Sequence, residues 1–277
     1  MTIAGYANLG SELHFLARLD EARAAWRNEL ELAERYEARR MLHGAKLVGA
    51  GWALVDGEWD TALALAEELV ARAESGSPDY TDAPAYSVRA WIRLARGDAP
   101  GADADSSRAA ELARASDSQA KAAAFSVRAA VAGALGNRDE ADACVTELVE
   151  LGPVNVVALC SPFPTLADLA WAFRDLGREE ELIAAILDPT PIDSAWVDAA
   201  RAIAAGDVGN AADTIAAIGN PAAAAYARYR ASEELVSAGE IQAAHALRTA
   251  ADEFHRAAGA TRFVLAPAGR SALYGGG

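Results

Sequence analysis

Apolar residues recur at helical spacing in blocks of about 13 to 16 residues, arranged in pairs around a glycine followed by a polar residue. These breaks stand at Gly57-Glu58, Gly97-Asp98, Gly136-Asn137, Gly177-Arg178, Gly206-Asp207 and Gly239-Glu240, so successive glycines lie 40, 39, 41, 29 and 33 residues apart. Glycine suits the left-handed conformation that closes a helix, and an acidic or amide residue beside it favours the start of the next. Each unit therefore predicts a helix–turn–helix hairpin. Five positions after the turn an alanine recurs, at Ala62, Ala102, Ala141, Ala211 and Ala244. With Ala17 in the turn position, Ala22 supplies a further unit at the N-terminus, and only the Gly177 unit departs, with Leu182. Six matches in seven exceed what 71 alanines in 277 residues would give by composition. A small residue there lets the two helices of a hairpin approach closely. Two units align without a gap, Ala85-Tyr-Ser-Val-Arg89 on Ala124-Phe-Ser-Val-Arg128. Such units cannot bury their apolar faces alone and must stack on neighbours. The prediction is an all-α chain, an α-solenoid of about seven hairpins expected to wind right-handed. The array would occupy residues 1–260 and a tail residues 261–277. Two irregular places interrupt it: an apolar, proline-containing connection over residues 152–164, and Asp188-Pro-Thr-Pro191.

One helix carries a further pattern. On a wheel with Tyr86 at 0°, residues Ser87, Val88, Ala90, Trp91, Ile92, Leu94 and Ala95 fill the arc to about 240°, while Arg89, Arg93 and Arg96 gather between about 280° and 340°. A helix apolar over most of its circumference is one sandwiched between neighbours. The arginine stripe, with Arg128 at the equivalent place one unit later, can grip carboxylates or phosphorylated side chains bidentately. Arg89, Trp91, Arg93 and Arg128 are therefore the candidate partner-binding residues. The competing reading pairs the stripe with acids of the same chain. It also assigns Trp91, like Trp52 and Trp171, to the core.

Composition narrows the partners. Alanine is the best helix former and is depleted in strands, which speaks against a β-sandwich, a barrel or a parallel sheet. With 25 Lys and Arg against 40 Asp and Glu, the formal net charge is −15. Phosphate backbones and anionic leaflets both call for concentrated positive charge, so nucleic acid and membrane surface are not expected partners. The prolines Pro153, Pro162 and Pro164 break the longest uncharged stretch, which is no membrane span. The start has no basic segment of a signal peptide. Cys144 and Cys160 form no Cys-x-x-Cys unit, which fits two reduced thiols and a cytoplasmic location. The terminal Gly275-Gly276-Gly277 reads as a linker.

The first unit, Tyr6-Ala-Asn8-Leu9-Gly10 with Leu13 and Leu19-Asp20-Glu21-Ala22, resembles a tetratricopeptide repeat, and the later units, which lack the Leu-Gly pair, resemble degenerate ones. The final third, Tyr226-Ala-Arg-Tyr-Arg230-Ala-Ser-Glu233, Ala238-Gly239 and Phe254-His255 to Arg262, is similar to the C-terminal helical region of large actinobacterial signalling regulators. Those proteins carry a nucleotide-cyclase or DNA-binding output domain and a central NTPase. The resemblance implies a regulatory or sensor arm of a longer protein, with no catalytic residue among those matched.

Catalytic motifs are not found. His245 and His255 are ten residues apart on one predicted helix, about 80° from one another, with no His-Glu-x-x-His pattern. Asp252 and His255 could share a metal at i, i+3, but a helix C-terminus favours His without one. Ser161-Pro-Phe-Pro lacks the turn of a nucleophile elbow, and Gly49-Ala-Gly51 lacks the third glycine and preceding strand of a dinucleotide loop. Acids such as Asp139-Glu140 and Glu179-Glu180-Glu181 sit where helices begin and suit the dipole there. The sequence thus names no catalytic residue, no cofactor and no metal. It predicts a non-catalytic scaffold whose first helices line a concave groove for a partner protein, a peptide segment or a linked domain of the same polypeptide. The first hairpin begins within a few residues of Met1 without a polar capping helix. That predicts a longer native polypeptide or a homodimer covering this end.

Overall fold

The computed structural model describes residues 1–76, 79–153, 162–190 and 193–264. Cys160, Pro191, the terminal glycines and most of the predicted tail lie outside the described residues, as do residues 154–161 of the predicted irregular connection.

Among the described residues, seven helical hairpins follow one another along the chain. They are α1 (Ile3–Phe15) with α2 (Leu19–Arg35), α3 (Arg39–Val55) with α4 (Trp59–Glu74), α5 (Asp82–Ala95) with α6 (Ala99–Arg114), and α7 (Ser118–Ala134) with α8 (Arg138–Leu151). After them come α9 (Leu166–Leu176) with α10 (Glu179–Leu182), α11 (Ala195–Ala205) with α12 (Val208–Ile218), and α13 (Pro221–Ser237) with α14 (Ile241–Ala257). A wider π-helical turn, Ile183–Leu187, prolongs α10, and a 3₁₀ turn follows α14 at Thr261–Phe263. Neighbouring helices pack pairwise, and no strand occurs among the described residues. The fold is the all-α solenoid of stacked hairpins that the repeat predicted.

The turns explain the repeat. At all seven, the turn residue has positive φ, from 73° to 85° at the six glycines and 58° at Ala17. The residue after it donates its N–H to a carbonyl five positions back: Glu58 to Ala53 at 2.8 Å, Asp98 to Arg93 at 2.9 Å, Arg178 to Phe173 at 3.0 Å. This geometry satisfies the last carbonyls of the first helix and reverses the chain. Every residue five positions after the turn is buried, Leu182 included, at 2% exposure or less. Those side chains stand where the two helices of a hairpin cross, and there a small residue sets the separation.

The solenoid is also closed on itself. Trp196 of α11 stacks on His14 of α1 at 5.5 Å, its indole N–H donates to the His14 carbonyl at 3.0 Å, and Ser194 Oγ donates to the Phe15 carbonyl at 2.5 Å. At the other end, Arg262 reaches the Ala134 carbonyl at 2.6 Å and Thr261 Oγ1 the Arg96 carbonyl at 3.2 Å. Phe263 is buried among Trp91, Tyr226, Tyr229 and His255. Residues 261–263, assigned to the tail from sequence, thus pack into the array. Aromatic residues at both ends, invisible to a repeat pattern, draw the superhelix shut.

Candidate functional site

The first helices α1, α3, α5 and α7 face inward and, with part of α2, enclose a cavity of approximately 480 Å³. Helices α4, α6 and α8 contribute nothing to it. A volume of this size is that of a pocket for a drug-sized ligand or a few side chains. Its aromatic wall comes from Trp26 of α2, Trp52 of α3 and Tyr80 in the turn before α5. Trp26 is locked by an indole N–H bond to the Ala45 carbonyl at 2.8 Å, and its ring lies against Gly49, where a Cβ would stand 3.0 Å away. Gly44 lets Tyr80 come close, since a Cβ there would lie 2.1 Å from the Tyr80 hydroxyl and the ring would have to shift. One face is closed by Pro162, Phe163 and Pro164, the described end of the irregular connection. Pro162 rests on Gly51, and Phe163 lies 5.6 Å from the Trp91 ring. Residues 162–164, just before the fifth hairpin, therefore sit on the concave side.

Several buried polar groups here lack partners. Both ring nitrogens of His14 and the indole nitrogen of Trp52 have none, and Glu29 makes no hydrogen bond or ion pair with a described residue although only 4% exposed. Burial holds His14 down to about 4 and pushes the Glu29 carboxyl up to about 7. Burying a polar group without a partner is unfavourable, and such groups are pairing sites that a ligand can satisfy. The cavity thus combines apolar walls with a few convergent polar atoms.

The four residues singled out from sequence lie elsewhere. Arg89 holds Asp105 with two bonds, Nε to Oδ2 at 2.8 Å and a second nitrogen to Oδ1 at 2.7 Å, and Arg93 joins the same carboxylate at 2.8 Å. Arg128 is buried, donating to Asp103 at 2.6 Å, Glu140 at 3.1 Å and Ser106 at 3.1 Å. Arg96 pairs with Asp60 at 2.7 Å. Each second helix supplies the acids that neutralise the arginines of the first. The structure therefore brings Arg89 and Arg93 together on Asp105, joins Arg128 to the preceding hairpin and to its own second helix, and leaves all three engaged within the chain. Trp91 is buried against Phe163, Tyr226 and Phe263. Around it, pieces of α5, α13, α14 and the 3₁₀ turn form an aromatic cluster that includes His255, also held down to about 4 by burial.

Other candidates resolve simply. Asp252 accepts from Arg248 at 3.2 Å and Arg256 at 2.9 Å. Among the described residues no group of three or more His, Cys, Asp or Glu side chains could hold a metal, and no helix is long and apolar enough to cross a membrane. Cys144 is a free, buried thiol, pushed up to about 12 chiefly by burial. Comparison with protein-family models, with curated proteins and with solved structures found no match.

Sequence reasoning missed Glu29, and a signal for it existed. Leu19, Ala22, Ala25 and Ala33 mark the buried stripe of α2, and Glu29 stands on that stripe where an apolar residue belongs. For His14, Trp26 and Tyr80 no local signal existed, because only the curvature of the array brings them to one cavity.

Proposed function

We propose that the chain is a non-catalytic binding scaffold whose concave groove receives a segment of a partner protein. The observation that carries this reading is the cavity itself: it is lined by the first helices of four successive hairpins and holds buried polar groups without partners. Stacked hairpins commonly present their inner helices as an extended recognition surface. Apolar anchors of the partner would fill the space between Trp26, Trp52 and Phe163, while polar groups near the rim select among partners. The arginine stripe then serves stability, since its charges are already matched by Asp103, Asp105 and Glu140.

The test is a peptide selection on the full chain, followed by calorimetric titration of the selected peptides against the wild type and against Ala123→Trp. Ala123 is a partly buried alanine of α7 that lines the cavity, so the larger ring blocks it. The reading expects affinity to fall by about tenfold or more with unfolding temperature retained, because a handful of buried anchors dominates such interfaces. Selected peptides that bind Ala123→Trp as tightly as the wild type would overturn it.

A further inference from the structure

The Glu29 end of the groove has a chemistry of its own. Glu29 is 4% exposed as a residue, lines the cavity and meets no donor among the described residues. Tyr80 stands close enough for the Glu29 charge to act on its phenol. Trp26 supplies a second aromatic wall from the same helix as Glu29, one turn before it. The nearest basic side chain lining the cavity, Arg40, lies over the Tyr80 ring at 5.2 Å and makes no ion pair with Glu29. A buried carboxylate without a partner attracts an organic cation by charge, and the Trp26 ring in the same wall can add its quadrupole, whereas the Tyr80 ring already carries Arg40. About 12 Å further along α3, at the helical rise over the eight residues from Gly44 to Trp52, the indole N–H of Trp52 offers an unused donor. Between the two ends the lining is largely apolar, with Leu47, Val48 and Ala123. A net charge of −15 also favours the arrival of cations.

From this geometry we infer that the groove carries a cation subsite, in which Glu29, with Trp26 beside it, receives the ammonium or guanidinium of a basic side chain from an otherwise apolar partner segment. The inference rests on the groove-binding reading and adds to it the charge of the central anchor. The subsite distinguishes cationic from neutral occupants of the same shape. It also explains why an acidic residue occupies the buried stripe of α2: without a cation it is a desolvated carboxyl, and with one it is half of an ion pair.

The experiment uses the full chain and two sets of probes, followed by tryptophan fluorescence and calorimetry. The first set is 4-phenylbutylamine with its neutral counterpart 4-phenylbutanol. The second is an acetylated, amidated peptide with one Lys between Leu and Phe, with its norleucine counterpart. Each pair is measured on wild type and on Glu29→Gln near pH 8. The expected result is a preference of about tenfold or more for the cationic member in both sets, lost in Glu29→Gln, whose affinity for the neutral member is unchanged. Cation and neutral probe bound equally, a preference that survives Glu29→Gln, or no binding of any cationic probe would overturn the inference. A preference confined to the free amine would transfer the subsite to a small-molecule ligand and overturn the assignment to a partner side chain. If the norleucine peptide binds the groove as well as the Lys peptide, the groove reading stands and the cation subsite fails. If neither peptide binds and the selection above yields no groove binder, both fail.

Discussion

Trp196 lies flat against His14, ring centres 5.5 Å apart and planes 20° from parallel, with its indole N–H on the His14 carbonyl. The two residues belong to the sixth and first hairpins, and this contact turns a row of modules into a closed object. It also fixes the ring of His14 at one end of the groove. Replacing Trp196 with Ala removes a large buried side chain and should cost about 3 kcal/mol. The loss should be local at first. Hydrogen exchange in Trp196→Ala should quicken in α1 and α2 while α5 to α8 keep their protection, because each hairpin depends on its neighbours. Uniform loss across the chain would show that the contact holds no particular pair of ends.

Ala17 is the only non-glycine among the seven hairpin turn residues, at φ 58°. A side chain in the left-handed region costs about 1 kcal/mol that glycine avoids. Ala17→Gly should therefore raise stability by roughly 0.5 to 1 kcal/mol, measured by denaturant unfolding, despite the greater freedom glycine gives the unfolded chain. The reverse change, Gly97→Ala at φ 85°, should lower it by about the same amount.

The arginine stripe should prove structural. Arg128→Ala removes a buried guanidinium, but the acids it leaves, Asp103 and Glu140, are exposed enough to be solvated, so the cost should be about 1 kcal/mol. The expected outcome is a modest fall in unfolding midpoint with groove affinity unchanged. Affinity lost in parallel for Arg89→Ala and Arg128→Ala, in samples still folded, would return the binding surface to the stripe.

The hairpins were legible in the sequence because their causes are local. A left-handed turn residue and a small residue five positions on are decided by hydrogen bonds within six residues and by one helix crossing. The site was not legible in the same way. Arg89 and Arg93 look like a free stripe until Asp105, on the facing helix, is seen between them. Glu29 looks like one acid among many until α2 turns it away from solvent. Phe263 lies outside the repeat pattern, yet it packs on Trp91 from 172 residues away.

Titration should separate the buried groups by sign. Glu29 is raised from 4.5 to about 7 by burial, so its unfavourable ionisation is absent below about pH 4.5, grows between pH 4.5 and 7 and levels off above. His14 and His255 are lowered from 6.5 to about 4, so their contribution is intact above pH 6.5 and is lost as pH falls toward 4. The difference between Glu29→Gln and wild type removes the histidine terms. Its stability advantage should be near zero at pH 4.5 and about 3 kcal/mol at pH 8. A flat difference across this range would mean that Glu29 is not buried as described.

Hydrogen–deuterium exchange of the full chain, with and without a saturating selected peptide, bears most directly on the groove. Added protection should fall on α1, α2, α3, α5 and α7 and on the turn around Tyr80, with α4, α6 and α8 unchanged. Protection concentrated on α4, α6 and α8, with α1 to α3 unchanged, would contradict the account.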